Sequence, residues 1–202
     1  ECHVSYTSPP GFRPISEVED VWDSMSERVV DMITFSLRDT KNAKVFVEAK
    51  TAIHTFIRTL ESFEFSVSRM NALILSFFRR FAQLLRERFA SDFQQAIREA
   101  QHQPMIVNDA TELAKVLSVC WLKPGEAEQL GKQPFPLSLP FSQTYPLCCM
   151  DIRSLVEQYY SFSQGMTQYH QEIDAILSQS LDDLLIHLIS ANIRDTVEQS
   201  NN

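Results

Sequence analysis

Four groupings of side chains in this 202-residue sequence have the types that chemistry requires. Cys148 and Cys149 are adjacent thiols, as a redox centre would use. Sequence neighbours rarely reach disulfide geometry without strain, however, and their apolar surroundings suit two small buried side chains. Asp183 and His187 lie four apart, which on a helix sets a carboxylate beside an imidazole; a surface ion contact of roughly 0.2–0.5 kcal/mol accounts for the pair without catalysis. His170, Glu172 and Asp174 gather where a helix is expected to begin. Acidic groups favour the positive end of the helix dipole there, and no partner carboxylate frames a substrate. Arg79, Arg80, Arg86, Arg88 and Arg98 crowd one segment, as a solvated helix face or as a patch for lipid or a partner.

The devices of common active sites are missing from the sequence. Its four glycines form neither a phosphate loop nor a dinucleotide fingerprint. The histidines His3, His54, His102, His170 and His187 never take the paired spacing that metal ligation on one helical face requires. Cys2, Cys120, Cys148 and Cys149 lack the spacing of a zinc site or a disulfide framework, which fits reduced thiols in the cytosol. We therefore assign no catalytic, cofactor-binding or metal-ligating residue, and expect no cofactor and no enzyme activity. A formal net charge of -8 opposes nonspecific binding to nucleic acid or anionic membrane. Charges interrupt every long apolar run, so no transmembrane span is expected, and the first residues have no signal-peptide core. A sequence opening at Glu1 rather than Met is expected to be a fragment, so missing targeting signals carry no inference.

The elements that must position these groups are helices. Between Ile15 and Gln103 there is no proline or glycine, and after Pro146 only Gly165. Proline costs a helix interior about 3 kcal/mol and glycine about 1 kcal/mol, so tracts free of both can hold several long helices. Residues 1–15 read as an irregular opening segment. The first helix follows, with Ser16 and Glu19 as a capping box and Val18, Val21, Trp22, Met25, Val29, Met32, Ile33 and Leu37 along one face. Val45, Ala49, Ala52, Ile53, Phe56, Ile57 and Leu60 mark a second helix whose end, at 62–68, is a break or a bend. The strongest stripe runs from Val67 through Met70, Phe77, Phe78, Phe81, Leu85, Phe89 and Phe93 to Ile97. Such a helix reaches roughly 45 Å, more than a compact globule holds. Residues 16–103 form a long-helix bundle on this reading. Residues 104–146, where six of the nine prolines fall, give a short helix opened by Asp109 and Glu112 and then an extended connector. Residues 147–202 give a helical pair, the fifth and sixth helices. The fold class expected is all-α, an elongated rod of stacked antiparallel helical bundles.

One stretch is more specific than any of these patterns: Leu139-Pro140-Phe141-Ser142-Gln143-Thr144-Tyr145-Pro146-Leu147-Cys148-Cys149-Met150-Asp151-Ile152-Arg153, followed by Tyr159-Tyr160-Ser161-Phe162. It resembles the Sec-fifteen subunit of the exocyst, particularly its fungal form. The likeness extends to Arg86-Glu87-Arg88-Phe89, to the segment from Gln103 to Asn108 and to Ser190-Ala191-Asn192-Ile193-Arg194-Asp195, covering most of 70–198. The resemblance implies a rod of stacked bundles, as in multisubunit tethering complexes, with no reaction of its own. It also implies a cytoplasmic scaffold, recruited to secretory vesicles and sites of plasma-membrane growth, that holds vesicles for exocytosis. The partners implied are other exocyst subunits and an activated Rab GTPase, with no nucleic acid and only indirect membrane contact. The family's Rab-contacting helices lie further toward the carboxyl terminus, so no residue is assigned to that contact. The alternatives are a helical lipid-binding module using Arg79, Arg80, Arg86 and Arg88, and an enzyme whose site assembles only in three dimensions.

Overall fold

The structure, a computed structural model, describes residues 15–99 and 103–190. Among the described residues the fold is all-α apart from two strands of two residues each. The chain divides into two compact units at Phe81/Ala82, inside a helix. The irregular segment expected at 1–15 falls outside the described residues except for Ile15, which begins the first helix.

The first unit holds α1 (Ile15–Leu37), α2 (Ala43–Ser62) and the opening turns of α3 (Ser68–Glu99). Ser16 lies inside the first turn of α1 rather than capping it. Asn42 opens α2, its side chain accepting the Lys44 N–H at 3.0 Å. The region 62–68 is a true break. Glu64 takes a left-handed φ of 62°, and the Phe65 N–H returns to the Leu60 carbonyl at 3.0 Å, which satisfies a carbonyl that the helix end leaves open. The core is built by Phe46, Ile53, Ile57 and Leu60 of α2 against Met70, Leu73, Ile74, Phe77 and Phe78 of α3. Phe46 meets Phe77 edge to face at 5.5 Å. Trp22 ties α1 in through Phe56 and Phe65 and by donating its indole N–H to the Ser66 carbonyl at 2.8 Å. Arg69 grips both Asp23 oxygens. The α1 stripe expected to form one face is divided: Trp22, Val29, Ile33 and Leu37 are half-buried, whereas Val18, Val21, Met25 and Met32 are exposed.

The second unit packs the rest of α3 with α6 (Thr144–Ser163) and α7 (His170–Asp182). Leu84, Leu85, Phe89 and Phe93 meet Ile152, Leu155, Tyr159, Phe162, Ile173 and Leu177 in this core. Pro146 lies inside the first turn of α6, where its missing N–H has no helical partner to lose, so the helix begins before the proline rather than after it. Beyond α7 the chain continues as a π-helical stretch, Asp183–Ile189.

The proline-rich region is more ordered than an extended connector. It contains β1 (Ile106–Val107), α4 (Ala110–Val119), α5 (Glu126–Gly131) and β2 (Leu137–Ser138). The strands pair antiparallel, Val107 opposite Leu137, flanked by Leu139 N–H to the Met105 carbonyl at 2.7 Å and Met105 N–H to the Phe141 carbonyl at 2.9 Å. Asp109 caps α4 as expected, accepting the Glu112 N–H at 2.8 Å. The Glu112 carboxylate reaches back to the N–H of Asn108, one residue before the cap. Val107, Leu113, Val116, Cys120, Leu137 and Leu139 close a separate small core beneath these elements.

Candidate functional site

The groupings singled out in the sequence do not converge. Asp183 pairs with Arg86, 2.5 Å away, and not with His187. Asp183–Ile189 is π-helical, bonding i to i+5. Ser190 shows this register, its hydroxyl donating to the Leu185 carbonyl five residues back at 2.8 Å. His170 lies against the Thr167 carbonyl at 3.2 Å, at the start of α7, while Glu172 and Asp174 are exposed. In the arginine segment, Arg86 is neutralised by Asp183, and Arg88 lies 3.5 Å from Asp92. Arg86 is thus committed within the fold, while Arg88 stays exposed beside Asp92.

Cys120 and Cys149 are buried and Cys148 is half-buried, all three unbridged. Burial, with Cys149 and Asp151 adding to it, pushes the Cys148 thiol up to about 11; burial and Cys149 likewise raise Cys120. Thiols held protonated at neutral pH are poor nucleophiles and poor metal ligands. Among the described residues no group of three or more His, Cys, Asp or Glu side chains is placed to hold a metal ion.

Behind Cys149, α6 carries a polar buckle. The buried Tyr159 hydroxyl lies 3.2 Å from the Ala82 carbonyl and 2.8 Å from Ser180 Oγ. By donating to the carbonyl and accepting from Ser180, it links α3, α6 and α7 with every partner satisfied. One turn further along α3, Arg86 meets Asp183. This arrangement fixes helix register and performs no reaction.

A groove of about 450 Å³ lies over the small core. Trp121, Leu122, Leu130, Pro140, Phe141 and Tyr145 form its apolar surface, and Lys123, Glu126, Gln129 and Gln133 its rim. The walls are fixed. Tyr145 donates its hydroxyl to the Trp121 carbonyl at 2.5 Å, Phe141 and Tyr145 stack tilted at 5.0 Å, and the Arg153 guanidinium sits 5.8 Å from the Trp121 ring centre. Glu126 is engaged by the loop before α5, accepting the Lys123 N–H at 3.0 Å. An aromatic floor with an amide rim and no free acid–base pair can grip an apolar side chain or a peptide, and offers nothing for bond making. A smaller cleft of about 210 Å³ lies between Leu85, Arg88, Phe89 and Asp92 of α3 and Asp151, Ser154, Leu155 and Gln158 of α6. Burial and the neighbouring Asp92 raise the Asp151 carboxyl, while Arg88 lowers it. The hydroxyl in this lining, Ser154 Oγ, accepts the Gln158 side-chain N–H at 3.2 Å.

The sequence did not reveal the groove, because Trp121 and Tyr145 are 24 positions apart and meet only when β1 and β2 close. The available signal was the run Leu139, Phe141 and Tyr145 among prolines. These residues lie in the segment that carried the family likeness, and Cys149, Asp151 and Arg153 of the same segment line or support the two concavities. No described helix is long and apolar enough to cross a membrane.

Comparison with known proteins gives the same direction. Exocyst complex component SEC15 of Saccharomyces cerevisiae is 23% identical over 92% of this chain and 21% of its own length. Its Schizosaccharomyces pombe counterpart is 27% identical over 76% of this chain and 19% of its own. Exocyst complex component 6 of Rattus norvegicus is 23% identical over 98% and 24%. The chain thus spans about a fifth of the length of these relatives, which are named as complex components and not as enzymes. No solved structure matches. The family described as "Exocyst complex subunit Sec15 C-terminal" matches residues 69–202, two-thirds of the chain, from the start of α3 onward, and the chain belongs to that family.

Proposed function

We propose that this chain is a non-catalytic scaffold portion of an exocyst subunit that tethers secretory vesicles to the plasma membrane before fusion, in a protein that acts as a Rab GTPase effector. The observation that carries the reading is the family match over 69–202. Helical units with interlocked polar buckles and an aromatic groove suit a part that holds partners in place. The protein works in the cytoplasm, is recruited to vesicles and growth sites, and meets membrane through its partners. Its contacts are other exocyst subunits, with the Rab site in helices C-terminal to these in the longer protein.

Binding to purified exocyst subunits, with the chain immobilised, tests the scaffold role, and retention of at least one subunit is expected. Failure to retain any subunit, alone or in pairs, would overturn it. GTP-loaded and GDP-loaded Rab proteins passed over the same surface test the division of labour. GTP-selective retention by this chain would move the Rab site into it.

A further inference from the structure

The residues of α1 form three adjoining rows along the helix, each advancing by steps of three and four. Trp22, Ser26, Val29, Ile33 and Leu37 make the inner row, buried or half-buried against the first unit. Val18, Val21, Met25, Arg28, Met32 and Phe35 make the middle row. Its apolar members are 39%, 44%, 53%, 63% and 65% exposed in that order, far more than a helix flank grazing its own core. Glu17, Asp20, Ser24, Glu27 and Asp31 make the outer row, exposed and acidic at four of five positions. The middle row has the spacing of a coiled-coil seam over about two and a half heptads, with one arginine set into it. Such a sequence makes α1 apolar over two of its three rows, while its own unit covers one.

The charge pattern determines what can cover the other. An anionic membrane is repelled by the acidic row beside the seam. A second copy docking antiparallel would set that row against itself, because antiparallel helices bring like flanks together, and one docking parallel would set it against the inner row, which the first unit already covers. A basic helix has neither conflict. We propose that the middle row of α1 docks an amphipathic α-helix from a partner protein, with an apolar three–four seam, lysine or arginine along one flank and a carboxylate opposite Arg28. The surface is defined by this chemistry, goes beyond the scaffold reading, and stands whether or not the partner is an exocyst subunit.

The test uses the whole chain and a fluorescein-labelled synthetic helix of about three heptads, with leucine in the seam, lysine on the flanks and glutamate opposite Arg28. Controls are the same seam flanked by glutamate, and a scrambled lysine peptide. By fluorescence anisotropy the lysine-flanked helix is expected to bind at least about tenfold more tightly than either control. Met25→Lys and Met32→Lys, both on solvent-facing positions that the fold does not need, each weaken it by about tenfold or more with the helical circular dichroism unchanged. The double variant Asp20→Lys/Asp31→Lys, which leaves the outer row with two acids and two lysines, removes the preference for the lysine-flanked helix. Equal binding of the three peptides, or binding untouched by the methionine changes, overturns the proposal. Met32-dependent flotation on phosphatidylserine vesicles would assign the row to a membrane, and Met32-dependent dimerisation in sedimentation to a second copy; either result also overturns it.

Discussion

Replacing Tyr159 with phenylalanine removes one oxygen from a side chain that is 1% exposed and leaves its ring packing in place. The lost hydroxyl had two partners, the Ala82 carbonyl at 3.2 Å and Ser180 Oγ at 2.8 Å. A net neutral hydrogen bond contributes about 0.5–1.5 kcal/mol, and a buried group left without its partner costs about 1–3 kcal/mol. The Ala82 carbonyl already accepts within α3, and Ser180 can turn its proton to the carbonyl one turn back, so both partners recover part of the loss. Tyr159→Phe is therefore expected to destabilise the second unit by about 1–2 kcal/mol. Ser180→Ala, which leaves the tyrosine bonded to Ala82, should cost about 0.5–1 kcal/mol, and the double variant less than the sum by about 0.5 kcal/mol or more. Exchange of the α6 and α7 amide protons with deuterium, followed across urea concentrations, reports the α3–α6–α7 packing that Tyr159 joins. A Tyr159→Phe loss below about 0.3 kcal/mol, or strict additivity with Ser180→Ala, would refute the view that this hydroxyl links three helices.

Three further outcomes follow from particular residues. Glu64 holds a left-handed φ of 62°, which costs a side-chain-bearing residue roughly 1–2 kcal/mol; part of this is offset by glycine's larger unfolded-state entropy, so Glu64→Gly should raise stability by about 0.5–1 kcal/mol, seen as a higher denaturant midpoint at unchanged slope. Asp109→Ala removes the acceptor of the Glu112 N–H and should cost about 1 kcal/mol, whereas Asp109→Asn should keep most of it in the same measurement. Cys148, raised from 9.0 to about 11, should react with iodoacetamide roughly 100-fold more slowly at pH 8 in the native protein than in urea, read by mass spectrometry. Because the unfolded thiol loses its proton first, the folded state binds more protons between pH 9 and about 11. The stabilising contribution of this group is complete below pH 9 and declines as pH rises through that window, which Cys148→Ser should flatten.

The long helices were legible because their causes are local. Absence of proline and glycine between Ile15 and Gln103, and an unbroken three–four recurrence from Met70 to Phe93, leave α3 no competitive alternative. Elements decided by distant contacts were not legible. Ile106 and Val107 are too short a strand to show alternation and exist only because Ser138 and Leu137 arrive opposite them. Six residues from Glu126 to Gly131 are too few for a periodic signal, and Pro146 was taken as a boundary although a first helical turn accepts proline. For the α1 stripe, the sequence carried the apolar arc without indicating that its own unit uses only part of it. The same distinction separates the candidate sites. Asp183 and His187 suggested each other by spacing, but the partner of Asp183 is Arg86, 97 positions away, which no local pattern can reveal. The absence of glycine-rich loops and paired metal ligands needed no tertiary structure to be read.

The β1–β2 pairing closes the chain from Met105 to Phe141 into a loop whose two ends are bonded to each other and whose interior carries its own apolar centre. A segment tied at its base in this way can detach and re-form as one piece while the α3–α6–α7 packing persists. Amide protons of Leu113, Val116 and Leu139 should then exchange with deuterium at a common rate, faster than those of Phe89 or Tyr159. The aromatic groove would thus open and close as a property of this module, with its own equilibrium, rather than with the unfolding of the unit that carries it.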